Sequence, residues 1–441
     1  MKDRNHPLRP DAWHSRILDK KIEQLLNIST VIDLHGIRGC GKTWCGLSHA
    51  KSIISADDET VAMPLIQMDA RIALTGPRPH AVDEWSSFPE LRNQALRASN
   101  EPGSFMLLSS SEPPRVREDQ RSTRLRVARI HMRTLTLAER GISTAAVSLE
   151  DLVTCNGAAS ALPQRDGFGV TGAHDDGQEL YELALPICEG GWSAAVSRSH
   201  ADALGISANQ ASSLLVGDVR RQGRKESVAR AILGSIELAT GGDTSYAVLA
   251  AHAASAGLAF PSRNTLTAYA RTFHQLYLVE ELPGWKAPIR SSSRVKTKPR
   301  LVLADPSLGI TATGLGVPDL RDNPKWLEAG FKALALHDLL AYAEALPARL
   351  RASASYYADA DGTSADIVLT FGNDWAAIII ATKEGDVPAA IKQLGRLTRK
   401  VVSGESGMGD PVFRLVVTPG GTAWRDGRTG TVVAPISALG A

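Results

Sequence analysis

Cysteine is scarce in this chain. Its 441 residues include four, Cys40, Cys45, Cys155 and Cys188, and no two stand in Cys-x-x-Cys spacing. That argues against a zinc site and against a disulfide scaffold, and it fits a reducing cytoplasm. No apolar run is long enough to span a membrane, so no membrane partner is expected. The opening MKDRNHPLRPDAW has no apolar stretch, and the expectation is no secretory leader. An excess of one charge is missing too. Forty-nine Lys and Arg against 47 Asp and Glu leave a net +2, too balanced to diagnose a nucleic-acid partner by itself. What remains is ordinary for a soluble globular protein, 43% hydrophobic and 22% charged, with length enough for two or three domains.

One stretch stands out. STVIDLHG, Ser29 to Gly36, has β-branched and apolar residues and ends at glycine, so it reads as a short buried strand. Gly36-Ile-Arg-Gly39-Cys-Gly41-Lys42-Thr43 then matches G-x-x-x-x-G-K-[ST] at every fixed position, and TWCGLSHAKSII starts a helix. Glycines let the backbone approach phosphates closely. Loop amides and the helix N-terminus present positive potential to the anion. Lys42 is expected to reach the β- and γ-phosphates of ATP, and Thr43 to offer its hydroxyl to Mg²⁺.

Hydrolysis needs acids as well. In PHAVDEWSSFPEL, Ala81-Val82 end a short apolar strand and Asp83-Glu84 follow. Asp83 is assigned to the metal and Glu84 to the attacking water. Phe105 to Leu108 is a further strand, with Ser109, Ser110 and Ser111 at its end. A serine there either touches the γ-phosphate or the water, or belongs to a turn before Pro113-Pro114. RSTRLRVARIHMR supplies five arginines, one of which is a candidate to neutralise the transferring phosphate. Alternating arginine and apolar residues also describe an ordinary half-buried strand.

Together HGIRGCGKTW, AVDEWSSFPELRNQAL, FMLLSSSEPP and RVARIHMRTLTLAERG resemble the AAA-type ATPases of bacteria and archaea that carry a C-terminal domain of unknown function. The resemblance continues through ICEGGWSAAV, SRNTLTAYARTFHQLYLVEELPGW, TKPRLVLADPSLG and VVAPISALG, in order, over nearly the whole chain. It implies a P-loop α/β domain with a helical lid over 1–215, a winged helix-turn-helix module over 216–300 and a restriction-endonuclease-like PD-(D/E)xK α/β domain over 301–441. It also implies that Gly41, Lys42 and Thr43 bind nucleotide, that Asp83 and Glu84 form the second acidic motif, that Ser110 falls at the sensor position, and that Arg126 is the arginine that follows. The family usually has a Gly-Ala-Gly-like stretch before that arginine, where this chain has Thr123-Arg124-Leu125. An arginine acting in trans would need a second copy of the chain, so a homo-oligomer is one expectation.

Farther on, GFGVTG (Gly167 to Gly172) fits G-x-G-x-x-G but lacks a strand before it and an apolar helix after it, so it reads as a loop. ESVARAILGSIELAT, SYAVLAAHAASAG and PSRNTLTAYARTFHQLYLV read as three helices, the last with Ser262 as N-cap. Its Arg263, Thr267 and Arg271 share roughly one face, with Asn264 beside them. With the basic stretch KAPIRSSSRVKTKPR (Lys286 to Arg300), residues 262–300 either bind double-stranded DNA or serve as a spacer between proteins.

The last third alternates strands and helices. An active nuclease of the implied fold needs an acid on its first helix, an Asp on one strand and Glu-x-Lys on the next, to hold Mg²⁺. Asp366 fits the first strand, but Ile379, Ala381 and Lys332 stand where Glu, Lys and a helix Glu are usual. Isoleucine cannot bind a hard cation, and Lys332 would repel one. The expectation is a nuclease-like fold without cleavage, with Asp366 a surface or turn residue.

Overall fold

The computed structural model describes residues 8, 13–113, 126–154, 162–165, 176–287, 295–403 and 408–441. Gly167 to Gly172, Cys155, Arg121, Thr123-Arg124-Leu125 and part of the basic stretch, 288–294, lie outside them.

Short apolar runs form a five-stranded sheet from β1 (Val31–His35), β2 (Ser52–Ser55), β3 (His80–Asp83), β4 (Phe105–Ser109) and β5 (Val127–His131). All its pairings are parallel, in the order β2-β3-β4-β1-β5. The central strands are apolar on both faces. Ile32, Leu34, Met106 and Leu108 enter one core, while Val31, Val82, Phe105 and Leu107 enter another on the opposite side. A period of two sorted onto two covered faces is what a parallel sheet under helices requires. Because every strand runs the same way, the loops after β1, β3 and β4 gather at one edge, and β4 sits between the other two.

Two short strands follow, β6 (Val147–Ser148) and β7 (Gln164–Arg165), and neither joins that sheet. Helices Glu226–Leu238, Tyr246–Ser255 and Arg263–Gln275 come next, the last capped by Ser262, whose hydroxyl accepts from the Thr265 amide. Strands β8 (Val279–Leu282) and β9 (Arg300–Leu303) pair antiparallel behind them.

The C-terminal sheet has seven strands, including β10 (Ser353–Ala358), β11 (Ser364–Phe371), β12 (Asp374–Ile380), β13 (Arg414–Thr418), β14 (Trp424–Asp426) and β15 (Val432–Pro435). Gly372, at φ +67°, takes the first corner of the tight turn between β11 and β12. Helix Val387–Val402 carries the crossover to the parallel β13, and the long helix Pro324–Ala345, buried on nearly all sides, fills the other face.

The seventh strand is β7, which pairs with β14, and β16 (Leu439–Gly440) pairs back onto β6. Leu137, Val147, Leu149 and Leu152 are buried in the core of this C-terminal sheet. Described residues near 137–154 and 164–165 therefore pack with the C-terminal strands and not with the five-stranded sheet. A two-residue strand has too little hydrophobic pattern to reveal its partner sheet. Among the described residues no helix is long and apolar enough to cross a membrane.

Candidate functional site

The glycine loop begins where β1 ends. A Cβ on Gly36 would lie 2.1 Å from the Met132 carbonyl oxygen, so only glycine lets β1 and the chain leaving β5 approach this closely. Gly39 and Gly41 take φ of +91° and +104°, the left-handed region that glycine occupies without a steric penalty. Helix Lys42–His49 starts directly on Gly41. Lys42 is buried, and its Nζ donates to the Gly36 and Ile37 carbonyls at 2.9 Å each, so the ammonium lies inside the loop. Cys40 is buried, with its sulfur 3.7 Å from that ammonium.

Thr43 faces the acidic strand. Its Oγ1 donates to Asp83 Oδ2 at 2.6 Å. Burial pushes the Asp83 carboxyl above the usual carboxylate range, against the pull of that hydrogen bond. Glu84 sits at φ +50°, an uncommon conformation for a residue with a side chain and one that clusters at functional sites. Its carboxylate accepts from the Ser110 hydroxyl at 2.5 Å and the Ser110 amide at 3.1 Å. Gly36, Gly39, Gly41, Lys42, Thr43, Asp83, Glu84 and Ser110 thus meet at one sheet edge, as the strand order dictates.

Arg126 does not join them. It precedes Val127, which pairs with Val31 at the start of β1, whereas the loop follows the end of β1. Its guanidinium is bonded to the carbonyls of Leu96 and Ser99 at the opposite edge. The expected role of Arg126 is corrected on that geometry: in a parallel sheet, a residue that enters a strand stands a full strand length from one that leaves it.

Two other arginines stand in the cleft. A space of about 340 Å³ is lined by Arg38, Glu84, Ser110, Asp218 and Arg221, among others. Asp218 holds both cations, Arg38 at 3.3 Å and Arg221 in a closer pair. Gln210 donates to the Arg38 carbonyl at 2.7 Å, and Ser193 Oγ to the Gly39 carbonyl at 2.9 Å, so the segment after 190 lies against the loop. Arg38 is a variable position of the motif and Arg221 stands far along the chain, so no local pattern marks either one.

Beneath the loop, β1 carries Asp33. It is 2% exposed, with Arg129 Nε 3.7 Å away. Burial pushes its carboxyl up to about 6, with Arg129 and Arg92 pulling the other way. Next along β1, His35 stacks on His131 at 5.1 Å and meets Tyr277, and Glu280 pairs with His131 and Arg133. Burial holds His35 well below the usual histidine range.

In the C-terminal sheet, Asp366 lies within β11 and is half-buried, its Oδ2 accepting from the Ile380 amide at 2.8 Å. It is a strand residue, not the expected surface or turn residue. Lys332 and Asp366 both border Gly241, so the helix position and the strand position do converge, with an ammonium in place of an acid.

A family model described as a domain of unknown function, DUF8612, matches residues 181–319. No curated protein matches. Among solved structures, the Walker-type ATPase PABY2304 of Pyrococcus abyssi aligns at a TM-score of 0.38 and 12% identity, over 69% of this chain and 97% of that one.

The Asp33 geometry makes a pH prediction. An unfolded aspartate titrates near 4, and the folded one near 6. Across that window the unfolded state releases its proton first, so stability is lost as pH rises from about 4 to about 6. Asp33→Asn removes this cost, and urea unfolding is expected to show a gain of about 2–3 kcal/mol at pH 8 and little at pH 4. An equal effect at both values would contradict the assignment.

Proposed function

We propose that this chain is an AAA-type P-loop ATPase that binds ATP with Mg²⁺ and uses hydrolysis as a conformational switch. The observation that carries the reading is the 2.6 Å bond from Thr43 to Asp83 with the Glu84–Ser110 pair beside it. Glycine loop, metal-type oxygens and a held carboxylate then share one edge. The donors suit the group: a hydroxyl and a carboxylate are the hard oxygens that Mg²⁺ takes. Thr43 and Asp83 would hold the ion, which when bound supplies charge neutralisation at the β- and γ-phosphates.

The remaining roles belong to the chain itself. Lys42 turns from the Gly36 and Ile37 carbonyls to phosphate oxygens. Glu84, held by the Ser110 hydroxyl and amide, orients the attacking water and accepts its proton. Arg38 and Arg221 take the charge-neutralising part expected of Arg126, since both border the cleft with Glu84. A γ-phosphate competes with Asp218 for both arginines. Arg221 lies on the same segment as Asp218, so a γ-phosphate held by Arg38 and Arg221 together orders that segment against the loop and its loss on hydrolysis releases it, which is a switch of the order-and-release kind. Two arginines from the same chain leave no chemical need for a neighbour's, whatever the oligomeric state.

The organisation that goes with this reading is an ATPase unit with a helical lid to about 215, from which the strands β6 and β7 reach over to the C-terminal strands, a winged-helix module to about 300 and a nuclease-like domain beyond. Three helices followed by the β8–β9 ribbon support the second. An antiparallel β10-β11-β12 run continuing into parallel β13 behind a long helix is in keeping with the third. Lys332 beside Asp366, with Ile379 on the next strand and Ala381 just past its end, supports the loss of cleavage.

A second reading makes the protein a DNA-binding regulator in which nucleotide is a structural ligand. The exposed Arg263, Asn264, Thr267 and Arg271 on one helix favour it. The two readings part on phosphate release from ATP with Mg²⁺. Under the first, Glu84→Gln lowers turnover by about 10²–10⁴-fold with nucleotide still bound. A wild type that binds ATP and releases no phosphate selects the second.

The same preparation should leave DNA intact in Mg²⁺ or Mn²⁺. Cleavage abolished by Asp366→Ala would overturn the account of the C-terminal domain.

A further inference from the structure

The segment that faces the cleft through Asp218 and Arg221 has a second side. There, a recess of about 610 Å³ is lined by Arg220, Arg224, Lys225, Glu226, Ser227 and Arg230. Its one carboxylate is already engaged, Glu226 pairing with Arg230 at 2.6 Å. Arg220 and Lys225 are exposed, and their side chains make no ion pair or hydrogen bond with the described residues. Arg224 is anchored, its Nε donating to Thr272 at 3.2 Å and its guanidinium lying 5.6 Å from the Tyr269 ring centre. That anchor sets the recess against helix Arg263–Gln275.

We infer that this recess binds the phosphodiester backbone of double-stranded DNA. Unpaired like charges held together in one recess repel each other and lower stability, a cost that a polyanion relieves. The two cations left without a partner among the described residues are Arg220 and Lys225, and the planar fork of an arginine matches phosphate oxygens in pairs. An acidic protein segment would satisfy the charge equally well. The adjoining helix decides for DNA, because it exposes Arg263, Asn264, Thr267 and Arg271. Arginine and asparagine are the side chains that read base edges in the major groove. Phosphate contacts beside a reading helix fix register on the backbone, and base contacts supply sequence preference. The surface goes beyond the stretch 262–300, because its cations precede that stretch. It needs no nucleotide, so it stands whether or not the ATPase reading holds.

The test uses the full-length protein and a fluorescein-labelled duplex of mixed sequence, with anisotropy followed over a range of salt concentrations. The expected wild-type result is binding that weakens steeply with salt. Arg220→Ala with Lys225→Ala should weaken binding at least about tenfold at low salt and make the salt slope shallower by about 2, one for each phosphate that is no longer neutralised. Both side chains are exposed and no described residue bonds to them, so the variant should fold and keep the wild-type rate of ATP turnover. Lys42→Ala should leave DNA affinity unchanged, which separates failure of this inference from failure of the nucleotide reading. An unchanged affinity and slope in the double variant overturns the inference. So does a wild type that ignores duplex DNA, including one that binds only phosphatidylserine vesicles or an acidic peptide.

Discussion

The hydrogen bond from Thr43 to Asp83 joins two parts of the chain forty residues apart, and the site depends on it. It holds the first turn of the helix after the glycine loop against the end of β3. It exists because β4 lies between β1 and β3, so that three strand ends open on one edge. Each strand needs both faces covered, and the helices that cover them set the length and direction of every loop on that edge. The burial that makes the sheet stable also raises the Asp83 carboxyl, against the pull of the Thr43 hydrogen bond.

Two of the ties between the site and the rest of the molecule differ in kind. On one side Asp218 gathers Arg38 of the loop and Arg221 of the helical segment into the cleft. On the other, His35 precedes Gly36 and packs on His131 and Tyr277, next to the Glu280 carboxylate of the β8–β9 ribbon. The second tie is buried and charged, so removing one partner would leave the others without compensation. Movement at the loop is thus coupled to the helical segment through exposed pairs and to the ribbon through buried ones. The exposed pairs are the weaker and are the natural place for motion.

Much of the site was legible in the residues. Gly36 to Thr43, Asp83-Glu84 and the serines after Leu108 each follow a short apolar strand, and local pattern carries that signal. Ser262 as a cap was legible for the same reason. Arg126 was misplaced because the motif gives its order along the chain and not the end of the strand it occupies. Arg38, Arg221 and Asp218 meet only through tertiary packing, and a single sequence holds no pattern that joins positions so far apart. The interleaving of β7 with β14 and of β6 with β16 escaped notice because two-residue strands have no periodicity to read.

The most direct measurement is calorimetric titration of ATP into wild type, Lys42→Ala and Thr43→Val, each with and without Mg²⁺. The account predicts that wild type binds ATP and binds it more tightly with Mg²⁺, that Thr43→Val loses most of the Mg²⁺ enhancement, and that Lys42→Ala loses binding. Equal affinity in all three proteins, indifferent to Mg²⁺, would mean that the Thr43–Asp83 bond only packs a loop against a strand and that nucleotide, if it binds, binds elsewhere.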